Sequence, residues 1–159
     1  MMVAVGIFAV LGTAFSGFLI SSLQVQRDSL ISQTLIDNIS YNLEYMSRSI
    51  RMARKDMEAK CIGSKENYRL HSAADGIDFL NYQEECQSFF LENGRLKERK
   101  GERENYITPA DLNITEFIIG GSDTWSQENE TQPKVIIFLE IEGIKFQTAV
   151  SQRNLNVKY

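Results

Sequence analysis

The sequence predicts an α+β protein, with a long N-terminal helix packed on an antiparallel β-sheet. Three observations predict this. The first 20 residues carry no charge, residues 18 to 57 contain neither Gly nor Pro, and beyond residue 63 the apolar period falls to two. The 159 residues suffice for one domain plus an appended segment. Expected boundaries are a transmembrane half of the helix at 1–25, an amphipathic half at 26–58 and a β-rich domain at 59–159.

The helix begins with MMVAVGIFAVLGTAFSGFLISSLQVQRD, in which Arg27 is the first charge. From Met1 to Ile20 the only residues that are not apolar are Gly, Thr and Ser, all tolerated in a membrane helix. A run of about 20 residues covers the hydrocarbon core of a bilayer, roughly 30 Å. A cleaved secretory signal would carry a positive n-region, and none stands here. Gly6, Gly12 and Gly17, with Ala14 and Ser16, make parts of the helix thin. In lipid, small residues let neighbouring helices approach closely, though membrane helices are also glycine-rich in general. Gly6, Gly12, Gly17 and Phe18 are therefore the candidate helix-assembly residues.

Further along, Leu35, Ile39, Leu43, Met46, Ile50, Ala53 and Met57 recur at steps of three and four, one stripe of an amphipathic helix. Asp37, Asn42, Glu44, Arg48 and Arg51 occupy the rest of the circumference. With no breaker, the helix is expected to run to about residue 57, on the order of 85 Å. Leu35, Ile39, Leu43, Met46, Ile50 and Met57 are the candidate residues for docking the helix on the sheet.

Strands are expected at Tyr68–Leu70, Ile77–Tyr82 and Leu112–Ile119. Asn93-Gly94 in CQSFFLENGRLKER is the strongest short hairpin signal. In VIIFLEIEGIKFQTAVSQ, Val135, Ile137, Leu139 and Ile141 alternate with the opposite face, and Glu142-Gly143 turns the chain into Phe146, Thr148 and Val150. Strands in meander order imply an antiparallel sheet with one apolar face, which the helical stripe would cover. GGSDTWSQENETQPK (120–134) has loop composition. Its Asp123, Glu128 and Glu130 match no calcium-loop spacing, and Trp125 either meets a partner or folds back on the sheet.

The chemistry-bearing residues are few. Net charge is -4, which argues against a nucleic-acid binder. The single histidine, His71, would have to serve any His-dependent triad, and no GxSxG, HExxH or phosphate-cradling glycine loop occurs. No catalytic residue, cofactor or metal site is expected. Cys61, His71 and Cys86 would give only three zinc ligands without paired spacing. Cys61 and Cys86 are either a disulfide, the default behind a membrane segment, or two free thiols.

The residues also resemble a known family. The opening stretch looks like the apolar run that follows the leader-peptidase site of prepilins. NLEYMSRSIRMAR (42–54) resembles the apolar and arginine positions of J-type or W-type minor pseudopilins. FLENGRLKER (90–99) is similar to their Asn-Gly hairpin, and FQTAVSQRN (146–154) to their closing strand. The resemblance implies a pilin-like fold and a minor pilin or minor pseudopilin, a non-enzymatic subunit of a type IV pilus or type II secretion pseudopilus. It implies leader cleavage with N-terminal methylation, and residence in the inner membrane with the domain extracytoplasmic before entry into a filament. Implied partners are other pilin or pseudopilin subunits, met through the N-terminal helix, and an inner-membrane assembly platform. One departure stands out: the leader glycine and the glutamate that precede such a run are not in this sequence. Met1 is thus expected to be an internal start or a truncation. Without a basic leader, Arg48, Arg51, Arg54 and Lys55 would bias their side of the membrane to the cytoplasm. The alternative is a single-pass membrane-anchored protein whose extracytoplasmic domain senses or binds a ligand.

Overall fold

The computed structural model describes residues 2–63, 65–72, 75–125 and 132–153, without the side chains of residues 2, 5 and 7–14. The fold is α+β. Among the described residues one α-helix, α1 (Met2–Arg51), precedes eight antiparallel strands in two sheets. The chain forms two compact units, Met1–Asn38 and Ile39–Tyr159. The first is helical throughout its described residues; the second holds the last turns of α1 and all the strands.

The first sheet is a five-stranded meander of β1 (Arg69–Leu70), β2 (Gly76–Leu80), β3 (Cys86–Glu92), β4 (Arg95–Lys100) and β5 (Arg103–Tyr106). The second has three strands, β6 (Ile114–Gly120), β7 (Lys134–Ile141) and β8 (Ile144–Ser151). Both predicted hairpin turns are present. Asn93 and Gly94 have φ of 52° and 72°, and Glu142 and Gly143 have 50° and 80°. Positive φ at both central residues is the type I′ turn, whose twist matches that of the flanking strands.

A single sheet was the expectation, and two form instead because of the segment after β5. The Ile107 N–H bonds the Leu96 carbonyl, and the Thr108 hydroxyl accepts the Leu96 N–H at 3.0 Å. Pro109 follows, has no N–H to offer a ladder, and opens a turn. The chain then restarts at Ile114, whose N–H bonds the Gly94 carbonyl at the tip of the first hairpin at 2.8 Å. The alternation in β7 holds: Val135, Ile137, Leu139 and Ile141 are buried, while Lys134 and Ile136 are exposed.

Ends of the three strands expected at 68–70, 77–82 and 112–119 move by one or two residues. β2 stops at Leu80 because Asn81 accepts the N–H groups of Gln83 and Glu85 and forms a turn. β6 begins at Ile114, not Leu112. The helix differs more: it ends at Arg51, not near residue 57. Past it, Arg54 bridges to Leu80 and Asp56 bridges to Glu66, both antiparallel. Local and distant donors share the terminal carbonyls that a helix leaves unsatisfied: Ile50 accepts the Ala53 N–H at 3.1 Å and the Tyr68 hydroxyl at 2.8 Å, and Arg51 accepts the Arg153 N–H at 2.9 Å. Arg48 and Arg51 in the last turn add favourable charge at the negative end of the helix dipole.

Candidate functional site

In the first unit, large apolar side chains point outward. Phe15, Phe18, Leu19, Ile20, Leu23 and Val25 each expose more than half of their surface, and Leu30 and Ile31 extend this beyond Arg27. Phe18 is 71% exposed, a burial fraction opposite to that of a soluble core phenylalanine. Gly6 and Gly17 are in open space, so a β-carbon added at either would meet nothing. The surroundings of Gly12 lie outside the described residues. Among the described residues no helix is long and apolar enough to cross a membrane; the side chains of 7–14, in the middle of the apolar run, are not among those described.

From Ile39 the pattern inverts. Ile39, Met46, Ile50 and Ala53 are fully buried, and Leu43 is half-buried. Leu35 is half-buried and belongs to the first unit. Met57 is 61% exposed, a correction to its place in the docking stripe. The reason is that the helix has ended six residues earlier, so Met57 no longer shares its face. Burial of each of Ile39, Met46 and Ile50 contributes about 1.5–3 kcal/mol.

Contacts that periodicity does not reveal complete the docking. Tyr45 meets Phe89 of β3 edge-on at 6.0 Å, and its hydroxyl donates to Glu98 of β4 at 2.7 Å. Gln87 donates to the same carboxylate oxygen at 2.6 Å. Burial, then the Glu98 hydrogen bond, pushes the Tyr45 phenol up to about 12. Edge and tilted aromatic contacts continue from Phe89 to Phe79, Tyr68 and Trp125. Trp125 therefore folds back: it is buried and its indole N–H donates to the Lys134 carbonyl at 2.8 Å. Glu128 and Glu130, two of the three acids in that segment, lie outside the described residues.

The segment after the helix is organised by Asp56. Its carboxylate is fully buried and accepts the backbone N–H groups of Lys60 at 2.9 Å, Cys61 at 2.7 Å and Ile62 at 3.0 Å. Burial alone would raise its pKa, but the donors at Cys61, Ile62 and Lys60 outweigh burial and hold the carboxyl below the usual range. This loop presents Cys61 to Cys86 at the start of β3, and the two form a disulfide with Cα atoms 5.4 Å apart. Neither sulfur is then a thiolate ligand, so the structure does not bring Cys61, His71 and Cys86 together as a zinc site. His71 instead bonds Asp78 at 2.6 Å and stacks on Phe90 at 4.6 Å. Among the described residues no group of three or more metal-ligating side chains forms.

The C-terminal strand is tied to the helix end. Gln152, just after β8, donates its side-chain amide to the Ala53 carbonyl at 2.8 Å. Gln132 donates in turn to the Gln152 carbonyl, and the Gln152 N–H bonds Pro133 at 2.9 Å. The sequence expectations give Asp56 no role, and read Tyr68 only as a strand residue and Gln152 only as part of the closing strand. Each is a lone polar residue whose partner is far away in the chain or on the backbone, so no spacing signals it.

Comparison with known proteins yields nothing on which to build: no protein-family model, no curated protein and no solved structure matches this chain.

Proposed function

We propose that this chain is a minor pilin or minor pseudopilin, a non-enzymatic subunit of a type IV pilus or type II secretion pseudopilus. The observation that carries this reading is the contrast along α1: large apolar side chains are exposed from Phe15 to Ile31, yet the same helix is buried from Ile39 to Ile50. Exposed apolar area on this scale marks an interaction surface or a membrane contact. In this reading the first half of the helix holds the subunit in the inner membrane, with the domain extracytoplasmic. On assembly the same surface passes to the helices of other subunits. Lipid and a helix bundle are similarly apolar, so the exchange costs little burial, and close packing at small residues such as Gly17 favours the bundle. The disulfide fits an oxidising extracytoplasmic compartment. The pilin-like packing and the resemblance of the closing strand belong to the same proposal, as does docking through an inner-membrane assembly platform.

The test is fractionation of sheared filaments from cells making the wild type and Gly17→Phe. A β-carbon at this glycine meets no atom of its own chain, so the variant is expected to fold. The expected outcome is wild type in the filament fraction and the variant retained in the membrane. A wild-type chain found only in the membrane would favour the anchored, ligand-binding reading.

A further inference from the structure

We propose that Asn113 is an acceptor for an N-linked glycan. The chain holds three triplets of the form Asn-x-Ser/Thr without proline in the middle, at Asn38, Asn113 and Asn129. In an exported protein such a triplet is an acceptor where the asparagine lies accessible on the surface. Asn38 is inside α1, where the helical backbone is fully committed, and Asn129 is outside the described residues. Asn113, exposed as Asn38 is, differs in standing outside any helix, between the turn at 109–112 and the first residue of β6, and its carboxamide makes no hydrogen bond among the described residues.

The local packing sets which side of Asn113 is open. Its Oδ1 rests over Gly94, where any β-carbon would collide with it, so that side is closed and the opposite side faces solvent. The flanking Leu112 and Ile114 are buried, and the Ile114 N–H bonds Gly94 at 2.8 Å. The backbone under Asn113 is therefore fixed, and a sugar attached there would project from an anchored point without displacing core. The hydroxyl of Thr115, also exposed, donates to the Glu140 carbonyl at 3.1 Å in the folded chain. A transferase must read that hydroxyl, so transfer precedes the pairing of β6 with β7. The donor is an oligosaccharide carried on a lipid diphosphate. A bond forms between Asn113 Nδ2 and the anomeric carbon, the bond from that carbon to the diphosphate oxygen breaks, the lipid diphosphate leaves, and Nδ2 loses one proton to a base of the transferase.

The inference rests on the extracytoplasmic placement of the proposed function, and one measurement separates the two. The full chain is isolated from the cells that make it, and its peptides are mapped by mass under non-reducing conditions. The expected result is a glycan increment on the peptide containing Asn113, kept in Thr115→Ser and lost in Asn113→Gln and Thr115→Val. A bare Asn113 peptide beside an intact Cys61–Cys86 bond would overturn the glycan and leave the placement standing. Two free thiols would overturn the placement and the glycan together. An increment that persists in Asn113→Gln would assign the sugar elsewhere and overturn the proposal.

Discussion

Replacing Asp56 by Asn tests how the segment after the helix is held. The carboxylate is fully buried and accepts three backbone N–H groups, two on one oxygen and one on the other. Asparagine has nearly the same shape but only one acceptor oxygen. Placed best, that oxygen keeps the N–H groups of Cys61 and Ile62, and the new amide then faces the Lys60 N–H, donor against donor. A buried donor left unmatched costs about 1–3 kcal/mol, and a bond to a charged acceptor is worth more than one to a neutral amide. The expected loss is about 2–3 kcal/mol at pH 7, read as a lower urea midpoint at unchanged slope. The pH dependence carries the sign. The folded carboxyl titrates below its unfolded value, so its stabilisation is full above about pH 4 and is lost as pH falls through the folded pKa. Asp56→Asn should be the less stable protein at pH 7 and approach the wild type at low pH. A variant within 0.5 kcal/mol of wild type at pH 7, or an unchanged gap at low pH, would refute the reasoning.

Three other outcomes follow from the same packing. Reducing the Cys61–Cys86 bond, which spans 25 positions, should lower stability by about 3 kcal/mol through loop-closure entropy, measured by urea unfolding with and without reductant. Met46→Ala should cost about 2–5 kcal/mol, whereas Met57→Ala at an exposed site should change stability by less than about 0.5 kcal/mol, both read from denaturation midpoints. Tyr68→Phe removes one of the two donors to the Ile50 carbonyl, which keeps the Ala53 N–H, and should cost about 0.5–1.5 kcal/mol, with faster amide exchange in the last helical turn.

The fold class was legible because it rests on periodicity. The stripe Ile39, Met46, Ile50 and the alternation Val135 to Ile141 each encode one buried face, and Asn93-Gly94 and Glu142-Gly143 are local turns. Local signals failed where the structure is decided at a distance. The helix stops at Arg51, where Tyr68 and Arg153 reach its last carbonyls, and neither is adjacent in sequence. Met57 kept the right spacing but lost the helix that gave the spacing meaning. The division into two sheets depends on the Thr108 hydroxyl reaching β4, a contact that composition cannot signal. The candidate assembly surface was readable for the opposite reason: an apolar run with no charge before Arg27 needs no tertiary partner to be noticed.

The central claim is that this run is covered by helices of other subunits in a filament. The most direct measurement places a photo-reactive cross-linking residue at Phe18, with the same group at exposed Met57 as a control, in cells that make the whole assembly. The account predicts adducts from position 18 to the apolar N-terminal helix of another subunit, appearing in the filament fraction and absent from the control. Adducts from position 18 to lipid alone, with filaments present, would contradict it.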